Sequence, residues 1–378
     1  RTIKRINKPE TIDFFILHEG LISSVDERLK EKKYKKLLKE CSDNSKPKDP
    51  DCDIFSQNGW LGFTDQYWMA TLIPNQNKSF NSVFKHYNKG RDIFVARYFE
   101  DNGNIINQNS IHKFDGKLFA GSKKLSILNE YKSEYKIQRF TDAIDWGYLS
   151  FLTKPISYAI NWFHGYVGNF GVAIIAFTIL MRLILFPLAQ ASFKSMAKMK
   201  KLQPEMQRLK ETYPNDRQKM QQELMALYKR EGANPVAGCL PIFVQIPIFF
   251  ALYKVLFVTI EMYHAPFYGW IHDLSAPDPM GILILFGLID WDVPPILSIV
   301  NIGILPIFMG FTMWLQQKLN PAPTDPTQAK IFAILPFVFT FILAGFAAGL
   351  VLYWSVNNIL SIAQQWVIQR KILANKDA

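Results

Sequence analysis

Long apolar stretches with at most one charged residue each fill the second half of this chain, and they restrict its fold more than any other feature. A helix needs about 20 mostly apolar residues to cross the hydrocarbon core of a bilayer. Five stretches satisfy this requirement, namely residues 166–188, 240–258, 296–315, 331–350 and 351–368. We therefore predict five transmembrane helices within residues 165–369, the last two forming a tight helical hairpin. Gly281–Ile289 is apolar but too short to span, so we expect it at the interface or within a loop.

The average composition of the chain hides this segregation. Of the 378 residues, 49% are hydrophobic and 20% are charged, and the net charge is +11. Aromatic residues reach 14% and there are only 3 cysteines, which excludes a collagen, a disordered chain and a disulfide-rich miniprotein. The charge is concentrated in blocks between the apolar stretches, so the position of each block carries more information than the total.

The blocks alternate in sign, and this alternation predicts the orientation of the spans. Lys and Arg mark the cytoplasmic side of a membrane protein. Residues 193–232 hold ten Lys and Arg against five acids, whereas residues 261–295 hold five acids and no Lys or Arg. We expect the first loop and the short basic tail 370–378 in the cytoplasm, and the acidic loop outside. The N-terminal half is then also outside, so we expect a signal or anchor helix and the start of its domain to precede Arg1.

Residues 1–141 have the pattern of an exported β-sandwich domain. Short β-branched and aromatic runs alternate with turn residues, and the clearest runs are Thr11–Leu17, Trp60–Thr64, Trp68–Ile73, Asp92–Phe99 and Lys124–Asn129. Lys30–Glu40 is charged and is predicted to be a helical insertion. Cys41 and Cys52 flank a polar loop; in an oxidising periplasm they could pair, and the alternative is two unpaired thiols.

The same region shows no pattern typical of an active site. His18, His86 and His112 are dispersed, and their spacing fits no zinc signature, so we predict no metal site and no cofactor. A scaffold role is favoured over a sugar or peptide site. Residues 142–164 follow, with aromatic residues at recurring positions and Pro155 between them, which predicts an amphipathic helix at the membrane interface. The alternative is a helix packed on the β domain.

Residues 192–232 are predicted to form an antiparallel helical hairpin in the cytoplasm. Met and Leu recur there at helical spacing, and charged residues fill the other faces. Methionine surfaces adapt to varied apolar partners. Contacts to ribosomal RNA, signal-recognition machinery, lipid headgroups or a nascent chain are therefore candidates, through Met196, Lys198, Met199, Lys200 and Lys201. The alternative is an ordinary hairpin whose methionines form its own core.

Arg182 is a cation inside the first predicted span. A central Arg costs at least about 2.5–3.5 kcal/mol on insertion scales, so its presence requires a reason. One interpretation is that its long side chain reaches the cytoplasmic headgroups. The other is a hydrated groove, open to the cytoplasm, that polar residues of other spans help to line. Those polar residues are Thr178, Gln245, Asn357, Asn358, Ser361 and Gln364.

Short motifs extend over nearly the whole chain, at residues 59–65, 67–68, 118–121, 144–147, 151–155, 195–199, 202–204, 234–235, 238–239, 245–249, 270–275 and 349–353. In their order and spacing they resemble the YidC/Oxa/Alb family of membrane protein insertases in its Gram-negative form. The resemblance implies a five-helix core with a periplasmic β-supersandwich domain, in the bacterial inner membrane. It also implies nascent membrane proteins as substrates, with the Sec translocon, the ribosome and signal-recognition machinery as candidate partners.

The resemblance further implies a mechanism that uses no ATP. The groove arginine of the family falls on Arg182, and its threonine one turn earlier falls on Thr178. A short hydrophilic segment of the substrate is expected to enter the groove, while its apolar segment leaves along the second and fourth core spans. Tyr353 and Trp354 are expected to face the substrate path, although Trp354 stands where relatives often carry a second Tyr.

Two other classes of function remain as alternatives to the insertase. A secondary transporter predicts internal repeats and acids within the spans, and the sequence has neither. A membrane-anchored enzyme that processes periplasmic glycans predicts a nucleophile or a carboxylate pair. The Gly-x-Ser-x-Gly motif is absent from the sequence, and His272 beside Asp273 is a weak signal. We therefore predict an insertase without enzymatic activity and without a small-molecule substrate.

Overall fold

The chain folds into two compact units in the computed structural model. The model describes residues 1–9, 11, 17–41, 52–56, 58–100, 105–214, 216–234, 240–294, 296–297, 300–320 and 326–374. The first unit, here called the β unit, comprises Arg1–Tyr148 with Val258–Glu261. The second, here called the helical unit, comprises Leu149–Phe257 and Met262–Ala378.

The β unit is a sandwich of two antiparallel sheets. Its strands are β1 Thr2–Ile6, β2 Gly20–Val25, β3 Arg28–Lys33, β4 Asp53–Ser56, β5 Gly59–Thr64, β6 Trp68–Pro74, β7 Phe80–Asn88, β8 Asp92–Glu100 and β9 Gly116–Ser122. One sheet has the order β1-β8-β7-β4 and the other β3-β2-β5-β6-β9. Buried side chains from both sheets, such as Leu61 and Phe63 from one and Phe84 and Phe94 from the other, form a common core. The prediction of an N-terminal all-β domain is confirmed.

Two local predictions in the β unit are wrong. Lys30–Glu40 is not helical throughout, because β3 occupies its first residues in register with β2 and only Tyr34–Glu40 forms a helix, α1. Lys124–Asn129 is not a strand but the start of helix α2, Leu125–Glu134. Leu125 and Leu128 lie one turn apart and are both buried, as a helix requires. The predicted strand Thr11–Leu17 lies mostly outside the described residues.

Cys41 and Cys52 are joined by a disulfide bond, which decides between the two alternatives left by the sequence. Their Cα atoms are 5.7 Å apart, and both side chains are buried. The bond ties the end of α1 to the residue before β4. It therefore closes a loop whose two ends contribute to the core of the β unit.

The helical unit contains eight α-helices among its described residues. They are α3 Ser150–Val167, α4 Phe170–Ile184, α5 Phe186–Thr212, α6 Arg217–Arg230, α7 Leu240–Val258, α8 Ile304–Leu319, α9 Pro326–Ala344 and α10 Ala348–Ala374. A large apolar core joins α3, α4, α7, α8, α9 and α10. Gly310 of α8 approaches the Thr340 side chain of α9 so closely that a Cβ atom would not fit, which permits tight packing of these two helices.

The predicted span 166–188 is interrupted in the structure. Helix α3 continues to Val167 and ends where Gly168 adopts a left-handed φ of 67°. Helix α4 then ends at Ile184, and the chain bends by 66° into α5. Pro187 lies in the first turn of α5, where its missing N–H group costs no hydrogen bond. The sequence pattern of one apolar run therefore conceals two helix boundaries.

The predicted span 296–315 also starts in the wrong place, because α8 begins at Ile304. An isolated β-bridge pairs Gly281 with Gly303, and this long-range pairing precedes the helix. Among the described residues, no single helix is both long enough and apolar enough to cross a membrane by itself. The bent pair of α4 and α5 passes that test together, and Phe243–Val258 and Gln328–Ala344 are shorter apolar helices.

The helix predicted over residues 142–164 corresponds to α3, which begins and ends later than predicted, at Ser150 and Val167. Phe140–Ala143 forms a 3-10 turn instead, and Gly147 has a positive φ of 67°. Ile156 and Ile160 bury one face of α3 in the core of the helical unit. Phe151, Tyr158 and Trp162 are exposed on another face. The helix is therefore amphipathic, with aromatic side chains on its open face.

Candidate functional site

Arg182 lies in the last turn of α4 and is hydrogen-bonded to α10. Its Nε donates to Asn357 Oδ1 at 2.8 Å, and its Nη2 donates to the backbone oxygen of Asn357 at 3.1 Å. Nη2 also donates to Ser361 Oγ. The side chain therefore turns toward a neighbouring helix and is held there at three oxygens. This favours the groove interpretation over an arginine that extends to the headgroups.

One stripe of α10 supplies these oxygens. Tyr353, Asn357 and Ser361 follow each other at intervals of four residues, so they share one face of the helix. All three are buried. Gln245 of α7 donates from its Nε2 to the Tyr353 hydroxyl, one turn from the arginine contacts. The structure thus connects α4, α7 and α10 through five of the predicted site residues.

The electrostatic character of this cluster follows from its acceptors. Each oxygen that accepts from Arg182 belongs to an amide, a backbone carbonyl or a hydroxyl. Within the described part of the chain, no carboxylate lies within ion-pair distance of this guanidinium. Helices α4, α7, α8, α9 and α10 contain neither Asp nor Glu. Neutral polar groups therefore fix the orientation of the guanidinium, and within the described residues no carboxylate neutralises its charge.

Thr178 and Trp354 occupy different positions from the cluster. Thr178 is fully buried one turn before Arg182, and its hydroxyl donates to the Ile174 carbonyl of its own helix at 2.7 Å. Trp354 is half-buried, and its ring lies 4.9 Å from that of Phe249 and 6.0 Å from that of Phe339. Thr178 is therefore satisfied within α4, and Trp354 belongs to an aromatic group shared by α7, α9 and α10.

Asn358 does not line the groove that the sequence suggested for it. Its Nδ2 donates to Thr312 Oγ1 of α8 at 3.1 Å, and Gln365 and Gln369 reach the C-terminal end of α8 in the same way. Adjacent residues of a helix point about 100° apart, so Asn357 and Asn358 face different neighbours. A polar stripe that holds α8 and α10 together is the feature missed by the sequence analysis, and the spacing 358, 365, 369 is its signal.

The hairpin of α5 and α6 buries part of the predicted contact surface. Leu202 and Met206 of α5 pack against Leu224 and Leu227 of α6. Met196 is also buried, in a cluster with Phe193 and Ile368. The methionines of α5 therefore serve mainly as core residues, as the alternative interpretation expected.

The basic residues of the hairpin are more accessible. Lys198 and Lys201 are exposed, Met199 and Lys200 are half-buried, and Lys198 Nζ donates to the Gly232 carbonyl at 3.4 Å. In the same hairpin, burial raises the pKa of the Tyr228 hydroxyl. Among the described residues, no group of three or more His, Cys, Asp or Glu side chains is placed to hold a metal ion.

Two family sequence models match the chain and together cover almost all of it. The model described as "60Kd inner membrane protein" matches residues 162–376. The model described as "YidC periplasmic domain" matches residues 1–159. The boundary between them falls within α3.

Curated relatives match at about half of the aligned positions. The chain is 49% identical to "Membrane protein insertase YidC" of Paracoccus denitrificans over 97% of this chain and 58% of the relative. It is also 49% identical to the protein of the same name from Dinoroseobacter shibae, over 98% of this chain and 61% of the relative. The chain thus spans about three fifths of the length of these relatives. A solved structure described as an active YidC insertase with its first transmembrane domain resolved has a TM-score of 0.47 and 20% identity, covering 82% of this chain and 78% of that chain.

Proposed function

The chain belongs to the 60Kd inner membrane protein family, and from this premise we propose that it acts as a membrane protein insertase. Its relatives carry the name membrane protein insertase. The observation that carries the proposal is the oriented, un-neutralised guanidinium of Arg182 at the contact of α4 with α10. An enzyme would need reacting groups there, whereas a groove for polar segments needs a charge and neutral dipoles.

The groove charge acts on the hydrophilic segment of a substrate. Arg182 attracts an acidic or polar segment, and Gln245, Asn357 and Ser361 supply further hydrogen bonds. A hydrogen bond to a charged group contributes about 1.5–3 kcal/mol. An Asp at the centre of a bilayer costs about 2.5–3.5 kcal/mol, so one such contact offsets much of the cost of its passage. The proposed role of Arg182 is therefore to lower the barrier for the polar part of the substrate.

The apolar segment of the substrate supplies the driving force. About 20 Leu, Ile, Val or Phe residues at roughly −0.3 to −0.6 kcal/mol each gain roughly 6–12 kcal/mol on entering the bilayer. This gain exceeds the cost of one or two charged residues, so no ATP is needed. We place the exit path along α7 and α9, with Tyr353 and Trp354 facing it. Thr178 keeps α4 closely packed beside the groove.

The proposed topology has five spans, built on α4, α7, α8, α9 and α10. The β unit and the acidic loop 261–295 lie in the periplasm, and the hairpin 192–232 and the tail lie in the cytoplasm. The alternation of basic and acidic loops supports this orientation. Helix α3 lies at the membrane interface, since its exposed face carries Phe151, Tyr158 and Trp162.

The proposed partners follow from the same surfaces. Nascent membrane proteins and lipids contact the groove and the helices around it. The exposed basic residues Lys198 and Lys201 of the hairpin, with Met199 and Lys200, are proposed to meet a ribosome, signal-recognition machinery or the Sec translocon. Met196 contributes to this surface only indirectly, by fixing α5 against α10.

Reconstitution tests the proposal. The purified full chain in liposomes should insert a small two-span protein without ATP, as measured by protease protection of its spans. Empty liposomes and liposomes with the Arg182→Ala variant are the controls. A folded sample that inserts no more substrate than empty liposomes would contradict the proposed function.

A further inference from the structure

An exposed apolar loop precedes α8, and nothing in the proposed groove uses it. Residues 281–291, here called the apolar loop, contain a short 3-10 segment, Ile282–Gly287. Leu288 is 86% exposed, and five more large side chains of the loop are also exposed: Ile282, Leu285, Phe286, Ile289 and Trp291. A soluble surface seldom collects so many apolar side chains in one short segment.

The apolar loop is firmly held at its base. Gly281 forms a β-bridge with Gly303, and the Ile282 N–H donates to the Ile302 carbonyl at 3.0 Å. The Asp278 carboxylate accepts from the Trp270 indole at 2.9 Å and from the Leu305 N–H at 2.7 Å. The loop is therefore attached to the start of α8 by specific contacts.

The backbone of the apolar loop satisfies much of its own hydrogen-bonding capacity. Six backbone N–H groups between Gly281 and Ile289 donate to acceptors within the chain. The Phe286 N–H donates to the Gly281 carbonyl at 3.0 Å, and the Ile289 N–H donates to the Ile284 carbonyl at 3.1 Å. Leu285 and Phe286 both have left-handed φ values, 45° and 57°, which large side chains rarely adopt. The fold thus accepts strain to keep a hydrogen-bonded turn with apolar side chains outside.

Helix α8 is too short for the span predicted from the sequence. Its 16 residues rise about 24 Å at about 1.5 Å per residue, whereas a hydrocarbon core is about 30 Å thick. Ile307, Phe308 and Phe311 expose apolar side chains along α8, and the apolar loop lies next to the N-terminal end of this helix. Apolar surface therefore continues from the helix into the loop.

We propose that the apolar loop is embedded in the lipid bilayer, at the leaflet that surrounds the N-terminal end of α8. Its side chains complete the apolar depth that α8 lacks, and its hydrogen bonds satisfy six of its backbone N–H groups, which lowers the cost of placing them in lipid. Trp291 lies at the headgroup level, and Asp290 and Asp292 remain in water. The occupant of this surface is lipid and not a second protein, because the apolar surface is continuous with that of α8, which the proposed topology places in the membrane.

Depth-dependent fluorescence quenching tests this proposal. The full chain with Cys239→Ser leaves Cys41 and Cys52 in their disulfide, so one added cysteine can carry an environment-sensitive fluorophore. The test position is Leu288→Cys, and Leu285→Cys repeats it in case the first variant folds poorly. Asp292→Cys is the water-facing control within the same segment, and Ile111→Cys, 87% exposed in the β unit, is the control for an apolar residue in water. The samples are reconstituted in phosphatidylcholine–phosphatidylglycerol vesicles.

The proposal predicts opposite quenching at the two kinds of position. A nitroxide on the lipid acyl chains should quench the fluorophore at Leu288 and Leu285 several-fold more than at Ile111, and iodide in the buffer should do the reverse. Asp292 should behave like Ile111. Iodide quenching at Leu288 and Leu285 equal to that at Ile111 would overturn the proposal. Protection from iodide without quenching by the nitroxide would overturn it as well, because protein and not lipid would then cover these positions. This measurement does not depend on insertion activity, so it stands apart from the test of the proposed function.

Discussion

The β unit and the helical unit hold three of their arginines in different ways. In the β unit, Arg5 pairs with Asp65 at 2.8 Å and Arg139 pairs with Asp142 at 2.7 Å, so carboxylates neutralise these charges. In the helical unit, Arg182 donates, within the described residues, only to neutral oxygens of α10. A cation paired with a carboxylate has little attraction left for a third group. This contrast supports the proposal that Arg182 attracts a polar segment of a substrate, whereas Arg5 and Arg139 stabilise the β unit.

The energetic cost of the two arrangements also differs. A partly exposed ion pair contributes about 0–1 kcal/mol and costs little to keep. Placing a cation within a membrane helix costs at least about 2.5–3.5 kcal/mol of free energy, and hydrogen bonds to neutral dipoles offset only part of this cost. Retaining such a residue for stability alone is unfavourable, since an apolar side chain would suit the position better. In the proposed groove the charge of Arg182 therefore lowers stability, whereas the ion pairs of Arg5 and Arg139 do not.

The largest expected effect comes from removing the acceptors of Arg182. The variant Asn357→Leu with Ser361→Ala leaves the guanidinium without its two side-chain acceptors, and we expect the helical unit to lose about 3–5 kcal/mol of unfolding free energy. Thermal unfolding in detergent measures this loss. Adding Arg182→Met to the same variant should restore stability, while insertion stays low. Restored stability together with normal insertion would mean that the charge has no functional role.

The disulfide of the β unit should have the next largest effect. The variant Cys41→Ala with Cys52→Ala opens a loop with a sequence separation of 11 residues, and closing a loop of similar size contributes about 3 kcal/mol in the chain-entropy model. We expect the urea midpoint of the β unit to fall and insertion in liposomes to remain unchanged. A parallel loss of insertion in a folded sample would show that the β unit participates in the groove mechanism.

His18 should make the stability of the β unit depend on pH. Burial lowers the pKa of His18 to about 4, and its Nε2 donates to the Leu21 carbonyl at 2.7 Å. The folded-state pKa lies below the ordinary value of about 6.5. The β unit therefore has its full unfolding free energy above pH 6.5, where the buried imidazole is neutral, and loses part of it as the pH falls toward 4. The loss is at most about 3 kcal/mol, at about 1.4 kcal/mol per pKa unit. Urea titrations between pH 7.5 and 4 measure it, and His18→Gln should flatten the curve.

The smallest expected effect is that of an ion pair in the β unit. Arg5 and Asp65 are about one third exposed, so Asp65→Asn should cost about 1 kcal/mol or less. The urea midpoint of the β unit measures the change, and insertion should not respond. A loss as large as that from the acceptors of Arg182 would remove the contrast between the two units.

Local patterns predicted the type of most elements but not contacts between distant residues. The apolar run 240–258, which only Gln245 and Lys254 interrupt, coincides with α7, because a long apolar run is typical of a helix. Lys124–Asn129 was predicted to be a strand, yet the Leu125 N–H donates to Glu261, 136 residues away, which satisfies the start of α2. Similarly, α8 begins directly after the pairing of Gly303 with Gly281, 22 residues earlier in the chain. Neither contact can be predicted from the residues that neighbour it in the sequence.

In the candidate site too, residue types were predictable from the sequence and contacts between helices were not. The polar residues of the last predicted span were recognised from their type, and the structure brings Asn357 and Ser361 to Arg182. Asn358 was grouped with them, yet it faces α8, because residue type does not reveal which neighbouring helix each face of α10 meets. The hydrogen bond between Gln245 and Tyr353 was not predicted either, since it depends on how α7 and α10 are packed.

The charge of Arg182 is tested most directly by matched substrates. Two forms of one two-span protein, with either Asp or Asn in the segment that crosses the membrane, are inserted into liposomes by the original chain and by Arg182→Ala. If the guanidinium attracts the acidic segment, the variant should lose about tenfold or more in rate on the Asp form, which corresponds to one charged hydrogen bond, and much less on the Asn form. An equal loss on both forms would contradict a role for the charge and leave Arg182 as a packing residue.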